Sequence, residues 1–269
     1  MILSGNTIKK QLEKNILIEN GNLQNVQSAS YDLTSGDFIL KIVNKSKAVS
    51  LIDASAIDNL YEQINITAGY EFKPGECIIV PLIDKFNMPS DVCASIRGKT
   101  SFNRLAIFLT SQHINAGYCG KLNITLVNNS QNTYILMPNM QIAQVVFEKL
   151  DENVENELLY PNQANASYQN EDGLQGSKVY NSFIGKVVRH FKGNYYYIEN
   201  ICMDSETKES IIVYRTLYNR QDSNIWTRSA KMFFEEIDAN RKDNVTGQKH
   251  RFEVVDELTI DYTKLNKNN

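Results

Sequence analysis

The apolar residues of this chain fall into short runs separated by turn-forming residues. The first run stands apart, because Ile8, Leu12 and Ile16 recur at helical spacing behind a polar capping residue. That pattern predicts one short helix near the start of the chain. From about Tyr31 onward, runs rich in Ile, Val, Leu and Phe are broken at fairly regular intervals by Gly, Pro, Asn and Ser. This spacing favours an all-β barrel or sandwich over alternating strands and helices.

The distribution of apolar and polar residues divides the 269 residues into four segments. Residues 1–150 and 181–258 are both β-rich, and a chain of this length is expected to form two domains. Residues 151–180 include an acidic, amide-rich stretch with few apolar side chains, which is typical of a linker or a mobile arm. Residues 259–269 are predicted to be a frayed tail.

Composition narrows the class of protein. The net charge of −3 at pH 7 argues against general nucleic-acid binding, which needs a basic face across the whole domain. The first residues lack the pattern of a secretion signal, and no apolar run approaches the length that crosses a bilayer. The four cysteines form no metal-binding pattern. These features predict a cytoplasmic protein with no membrane partner and no metal site of its own.

Carboxylates are missing from one long interval of the chain. Between Asp91 and Glu148 there is no Asp or Glu, although the chain contains 31 of them. The segment RGKTSFNRLA lies inside this interval and supplies positive charges, hydroxyl groups and a glycine loop with backbone N–H groups. These groups bind phosphates in proteins, so the segment predicts a local anion site. Alternatively, Arg97 and Lys99 are solvated charges at the end of a strand.

Several motifs in order extend this interpretation: MILSGNTI, ASYDL, KPGE, MPSDV, RGKTSFNRLA, INAGYCGKL, MPNMQIAQVVF and ASYQNEDG. Together they resemble the deoxycytidine triphosphate deaminase and dUTPase superfamily, over residues 1 to about 178. The resemblance implies a distorted β-barrel or jelly roll of the dUTPase type, assembled as a homotrimer with nucleotide sites between subunits. The nucleotide-binding positions that it implies are Arg97, Lys99, Thr100, Ser101, Arg104, Asn115, Tyr118, Thr125, Gln144 and Tyr168.

The departures from the family pattern concern its chemistry. The family's general base is a Glu on the strand after the INAGYCG hairpin, and the matching residue here is Thr125. The hairpin Asp that orients sugar and water is replaced by Asn115, and the basic residue ahead of Tyr168 is replaced by Ser167. A neutral hydroxyl or amide cannot take a proton from water near pH 7 unaided. The sequence therefore predicts no catalytic residue at either position.

A replacement base would have to come from outside the core strands. The candidates are Asp91, Glu148, Glu171 and Asp172. His113 is the one imidazole in the carboxylate-free interval and is a further candidate for a ligand or an acid, although a lone His is more often structural. The zinc route to deamination is not expected, because its H-x-E and P-C-x-x-C signature is missing.

The second β-rich segment resembles a small family of bacterial and phage domains marked by RHFKG, VYR-x-LY and Trp-x-Arg before MF. The resemblance implies a small SH3-like β-barrel and no biochemical role. Aromatic and cationic side chains together stack on bases and bind phosphates, which makes a second ligand site possible. Alternatively, the aromatic residues form the barrel core and the arginines its surface. The candidate residues are Arg189, His190, Lys192, Tyr214, Arg215, Trp226 and Arg228.

These observations favour a non-catalytic nucleotide-binding protein, whose partner is a nucleotide or a nucleotide-derived small molecule. It would act as a sponge that sequesters a nucleotide immune signal, as in phage anti-defence, or as a nucleotide sensor. No cofactor is required, although Mg²⁺ could accompany a bound triphosphate. The alternatives are an active dCTP deaminase or dUTPase with a relocated general base, a decayed site that binds nothing, and a protein-binding scaffold.

Overall fold

The computed structural model describes residues 1–43, 49–163, 166–218, 220–238, 240–256 and 260. The chain is mostly β and forms two compact units. The first comprises Met1–Asn44 and Leu60–Gly176, and the second comprises Lys45–Asn59 and Ser177–Asn269. Each unit is built around a hydrophobic core of its own.

The α-helices of the described residues are all short: α1 (Gly5–Leu12), α2 (Ala54–Asp58), α3 (Thr100–Asn103) and α4 (Ala230–Phe233). Helix α1 confirms the predicted N-terminal helix, and the Ser4 side chain caps it by accepting a hydrogen bond from the Thr7 N–H. The helix ends at Leu12, so Ile16 reaches the core from the segment that follows. No helix in the described part of the chain is long and apolar enough to span a membrane.

The strands of the first unit are β1 (Leu17–Glu19), β2 (Tyr31–Thr34), β3 (Phe38–Ile42), β4 (Tyr61–Asn65), β5 (Tyr70–Phe72), β6 (Cys77–Asn87), β7 (Val92–Gly98), β8 (Ile107–Leu109), β9 (Gln112–Ile114), β10 (Cys119–Asn128), β11 (Tyr134–Leu136) and β12 (Gln141–Lys149). Those of the second unit are β13 (Val187–His190), β14 (Tyr195–Met203), β15 (Ser210–Thr216), β16 (Ile225–Ser229) and β17 (Phe252–Val254).

Two antiparallel sheets form most of the first unit. One has the order β4-β3-β6-β10-β8, with β1 also paired to β6, and the other has the order β2-β12-β7-β9. Strands β5 and β11 form a separate pair. The inner faces of both large sheets supply one core, so the unit is a two-layer arrangement.

The predicted barrels are not closed in the described residues. In the first unit each large sheet ends in edge strands, and the edge strands β8 and β9 are only three residues long. Such short edges offer too few backbone groups to join the two sheets into one continuous ladder. The five-stranded sheet of the second unit, with the order β16-β15-β14-β13-β17, is likewise open.

The acidic segment predicted to be a linker or mobile arm packs as part of the first unit up to Gly176. It contains two short 3-10 helices, Asn156–Leu158 and Tyr160–Asn162. Further along, Glu171 forms a parallel bridge with Gly120. A Cβ on Gly120 would lie 2.8 Å from the Glu171 nitrogen, and its φ of +144° is one that L side chains rarely adopt. Glycine at this position therefore allows the arm to approach β10.

The second unit includes a segment that lies far from it in the sequence. Helix α2 belongs to this unit, and Ile52, two residues before it, is 4% exposed in the same core as Phe233 and Phe252. The rings of Phe233 and Phe252 stack with centroids 3.9 Å apart at the centre of that core. The sequence pattern alone gave no sign that this segment belongs with the second unit.

Candidate functional site

Two of the predicted nucleotide-binding positions, Arg97 and Gln144, lie beside Asp32 on the four-stranded sheet. On strands β2, β12 and β7, Asp32, Gln144 and Arg97 stand side by side in register. Their neighbours in the chain face the core, so these three side chains lie on the outer face. Arg97 is exposed, whereas Asp32 is buried.

Lys99 already has partners inside the chain. Its ammonium lies 2.8 Å from the Asp32 carboxylate and 3.2 Å from the Gln141 side-chain oxygen. The sequence placed no carboxylate near this cluster, because Asp32 lies far upstream of the carboxylate-free interval. Asp32 partly offsets the positive charge of Arg97, Lys99 and Arg104, and the ASYDL motif in which it occurs was the only signal for it.

Arg97, Lys99, Thr100, Ser101 and Arg104 together form the predicted phosphate site, called the cradle below. Its last three residues lie on and next to α3. Gly98 ends β7, and a Cβ at that position would meet the Asn103 side-chain oxygen at 2.8 Å. The glycine therefore lets the chain turn back tightly into α3. Thr100, Ser101 and Arg104 are all exposed there, so their hydroxyl and guanidinium groups are accessible to an anion.

Thr125 lies on a different sheet from the cradle. On β10, Ile124 and Leu126 face the core, so Thr125 and Asn123 lie on the outer face. Thr125 is opposite Ile79 on β6, and its carbonyl accepts a hydrogen bond from the Thr110 N–H at 3.1 Å. The structure therefore does not bring Thr125 and the cradle together on one face of a single chain.

The arm covers the outer face beside Thr125. The Asn123 amide nitrogen donates to the Gly173 carbonyl at 2.9 Å, and a cavity of about 320 Å³ opens next to it, between Pro81 and Gly173. Three buried amide oxygens in this region meet no donor among the described residues. They belong to Gln112, Asn123 and Gln175.

The hairpin residues differ in accessibility. Asn115 is exposed at the turn, where its carbonyl accepts from the Tyr118 N–H at 3.2 Å. Tyr118 is 3% exposed and packs edge-on against Tyr160, with ring centroids 5.6 Å apart. Tyr118 therefore belongs to the core of this unit, whereas the resemblance implied a binding role. Tyr168 is half-buried, and its N–H donates to the Tyr160 hydroxyl at 3.1 Å.

The carboxylates considered as replacement bases lie apart from Thr125. Asp91 is ion-paired to Lys149, and Glu148 lies on β12 opposite Cys93. Asp172 is 2.7 Å from the Lys121 ammonium.

Glu171 is buried at the bridge to Gly120, roughly 15 Å along β10 from Thr125 by the rise of a strand. Burial raises the pKa of Tyr118, and the nearby Glu171 carboxylate raises it further. This carboxylate is therefore placed beside Tyr118 rather than beside Thr125.

His113, the imidazole of the carboxylate-free interval, lies at the surface of the first unit. His113 is exposed on β9, opposite Ser95. Among the residues that the structure describes, no group of three or more His, Cys, Asp or Glu side chains is placed to hold a metal ion. The four cysteines are free thiols.

The residues predicted as a second site are divided between the two faces of the five-stranded sheet. His190 is opposite Phe252, and Arg228 is opposite Ile212, on the face that carries the core. Tyr214, opposite Trp226, is 5% exposed on the same face. Its burial agrees with the alternative prediction that the aromatic residues form a core.

The other face carries Arg189, opposite Tyr195, and Arg215, opposite Tyr197. Arg215 is ion-paired to Glu199 at 2.6 Å. Lys192 lies in the turn after β13, 3.1 Å from Asp243. The seven candidates therefore do not converge on one pocket.

His190 is not a cation near neutral pH. Burial, together with the positive charges of Arg251, Lys192, Arg228 and Arg241, lowers its pKa to about 4. Its Nδ1 accepts a hydrogen bond from the Lys192 N–H at 3.2 Å. The sequence grouped His190 with cationic residues, whereas its surroundings hold it neutral.

Comparison with known proteins identifies the two units. Residues 2–150 match a family described as dCTP deaminase-like, and residues 186–254 match a family described as a protein of unknown function, DUF1653. A dCTP deaminase, dUMP-forming, from Dictyoglomus thermophilum is 30% identical over 193 residues, which cover 69% of this chain and 98% of that protein.

Two solved structures are also similar. The 2'-deoxycytidine 5'-triphosphate deaminase of Agrobacterium tumefaciens gives a TM-score of 0.47 at 22% identity, over 60% of this chain and 49% of that chain. A DUF1653 protein of Bordetella bronchiseptica gives a TM-score of 0.23 at 31% identity, over 26% of this chain and 85% of that chain. With the match over residues 2–150 and the Dictyoglomus relative together, this chain belongs to the dCTP deaminase-like family and carries a DUF1653 domain after it.

Proposed function

We propose that the dCTP deaminase-like domain binds a phosphorylated nucleotide and holds it chemically intact. The observation that carries the proposal is Thr125. The resemblance matches this residue to the family's general base, and its cross-strand neighbour is the apolar Ile79. A Thr hydroxyl needs an adjacent base before it can take a proton from water near pH 7. The four carboxylates that could replace the base are placed elsewhere in the described chain.

Retention of the cradle supports binding without turnover. Arg97, Thr100, Ser101 and Arg104 are accessible, and together they offer charge and donors to phosphate oxygens. A carboxylate about 4 Å from a phosphate charge would cost about 1 kcal/mol in water, and more where solvent is excluded. Replacing the family's carboxylates by Thr125 and Asn115 therefore favours affinity while it removes the proton acceptor.

We also propose that the functional form is a homotrimer in which each site is completed by a neighbouring subunit. The cradle lies on the outer face of one sheet and Thr125 on the outer face of another, with the core between them. One nucleotide can contact both only if a second subunit presents one of the two faces. Holding a ligand in this way suits a sponge that sequesters a nucleotide signal, or a sensor of a nucleotide pool.

A second candidate function is deamination of dCTP with a relocated base. Relatives with up to 31% identity to this chain are dCTP deaminases, and this similarity favours the second function. In that case a base would come from a residue outside the described contacts of Thr125. Mg²⁺ could accompany a triphosphate in either function.

The test is to incubate the purified full-length protein with dCTP, dUTP and other nucleoside phosphates, with and without Mg²⁺, and then to filter it. Flow-through and heat-released ligand are both analysed by mass spectrometry. We expect at least one nucleotide to be depleted from the flow-through and to return intact on heating. Arg104→Ala removes a charge-assisted contact and should weaken retention about ten- to a hundredfold.

Lys14→Ala is the matched control, because it removes an exposed charge of the same unit outside the cradle and should leave retention unchanged. Appearance of uracil nucleotides or pyrophosphate would establish the second candidate. Retention of nothing by the wild-type protein, across the whole panel, would refute nucleotide binding.

A further inference from the structure

A polar cavity in the first unit lies next to the cradle, and the proposed nucleotide site does not use it. Its volume is about 590 Å³, within the range that accommodates a drug-sized ligand. Its floor is Asp84, which is 8% exposed and accepts hydrogen bonds from the Tyr31 hydroxyl at 2.9 Å and the Thr34 N–H at 2.8 Å. A buried carboxylate facing a cavity is costly unless further donors reach it.

The walls of the cavity are polar, and the net charge of their side chains is close to zero. Amide side chains dominate them, and Ile83 is the one large aliphatic residue in the lining. The two lysines in the lining already have partners: Lys85 is 2.9 Å from Glu19, and Lys121 is 2.7 Å from Asp172. The amides of the lining belong to Asn20, Asn22, Asn25, Asn139 and Gln141.

The side chains that line the cavity favour one chemical class of ligand group. A planar base is disfavoured, because the only aromatic residue in the lining, Tyr31, is fully buried and offers no open face for stacking. A phosphate is disfavoured by the Asp84 carboxylate on the floor. Hydroxyl groups can donate to carboxylate and amide oxygens and accept from amide nitrogens at the same time. A neutral, hydroxyl-rich group such as a sugar therefore matches this lining.

The cavity is joined to the cradle through one side chain. Gln141 lines the cavity, and its side-chain oxygen lies 3.2 Å from the Lys99 ammonium. The Gln141 nitrogen donates to Asn25, another residue of the lining, at 2.9 Å. A phosphate held near Lys99 could therefore carry a substituent that enters the cavity.

We propose that the cavity above Asp84 binds a sugar linked through phosphate to the nucleotide, so that the ligand is of the nucleoside diphosphate sugar class. This inference rests on the proposed nucleotide-binding function. Two lining residues allow a clean test, because Asn20 and Asn139 have φ angles of +51° and +60°. Glycine adopts this left-handed backbone readily, so the double variant Asn20→Gly, Asn139→Gly removes two amides and keeps both turns.

The experiment is calorimetric titration of the full-length protein with UDP and UDP-glucose, and with ADP and ADP-ribose. For at least one pair, the sugar-bearing ligand should bind about tenfold or more tightly than its parent, as expected for one or two additional hydrogen bonds. The double variant should reduce that ratio to about one and leave the affinity for the parent unchanged. Lys208→Gly, an exchange at φ +58° in the other unit, is the control and should preserve the ratio.

The outcomes separate the two proposals. If parent and sugar-bearing ligands bind equally to the wild-type protein, the cavity does not take the sugar, while nucleotide binding stands. If the sugar-bearing ligand binds more tightly but the double variant keeps the ratio, the sugar lies elsewhere and this inference is wrong. If the wild-type protein binds none of these ligands and none of the nucleoside triphosphates, nucleotide binding itself is refuted, and the inference with it.

Discussion

At the scale of single residues, surroundings decide chemistry that the residue type leaves open. Lys99 has the type expected of a phosphate ligand, yet its ammonium is shared between Asp32 and Gln141. A histidine ordinarily titrates near neutral pH, yet burial and neighbouring cations lower the pKa of His190 to about 4. In both cases the deciding partner is distant in sequence or belongs to the folded core.

His190 gives a prediction for the pH dependence of stability. The pKa of His190 is about 4 in the folded protein and about 6.5 in the unfolded chain, so between these two values the unfolded state binds more protons than the folded state. The second unit should lose stability as the pH falls from 6.5 to 4, by at most about 1.4 kcal/mol per pH unit from this group. His190→Phe should flatten the dependence over that window.

Urea unfolding followed by the fluorescence of Trp226 measures this effect. Trp226 is the only tryptophan of the chain and packs against the core of the second unit. Equal slopes with pH for the wild type and His190→Phe would show that the imidazole is not held neutral by the fold.

At the scale of elements, glycines decide where segments dock. Gly98 permits the turn into α3, and Gly120 permits the arm to approach β10. Both positions occur within motifs that the sequence already singled out, RGKTSFNRLA and INAGYCGKL. The motifs do not show which atom an added side chain would clash with. For Gly120 that atom is the backbone nitrogen of Glu171, on the arm.

Gly120→Ala should therefore release the arm. The methyl group would lie 2.8 Å from the Glu171 nitrogen and 2.9 Å from the Tyr118 hydroxyl, so the bridge cannot form without a shift. Gly75→Ala is the matched control, because its φ is +76° but nothing lies within 4 Å of the added methyl. That control should lose about 1 kcal/mol through backbone strain alone.

Limited proteolysis distinguishes the two variants. Gly120→Ala should be cut within residues 166–176 faster than the wild type, and Gly75→Ala should not. Equal protection of the arm in both variants would show that its docking does not depend on the bridge at Gly120.

At the scale of the whole molecule, two cores organise the chain, and they do not divide it at a single boundary. The first unit contains the cradle, Thr125 and both described cavities. The second unit draws residues 45–59 from within the stretch that precedes the cradle. Ile52 is 4% exposed in the core that also holds Phe233 and Phe252.

Ile52→Ala should consequently destabilise the second unit, by about 2–4 kcal/mol as for other buried aliphatic truncations. The change should appear as an earlier urea midpoint in Trp226 fluorescence. Ile66→Ala is the matched control, because Ile66 is 2% exposed in the core of the first unit. If Ile66→Ala shifts the Trp226 transition as much as Ile52→Ala does, the assignment of Ile52 to the second core is wrong.

The sequence by itself determined the class of the protein, the short N-terminal helix and the uncharged residue types at Asn115 and Thr125. These features follow from local pattern and residue type, since apolar spacing and motif order are properties of neighbouring residues. The tertiary structure alone decided that Asp32 lies against Lys99, that Tyr118 is buried, and that Ile52 joins the second core. It also placed Asp84 beneath a polar cavity. Each of these depends on contacts between residues far apart in the chain, and no local pattern records such contacts.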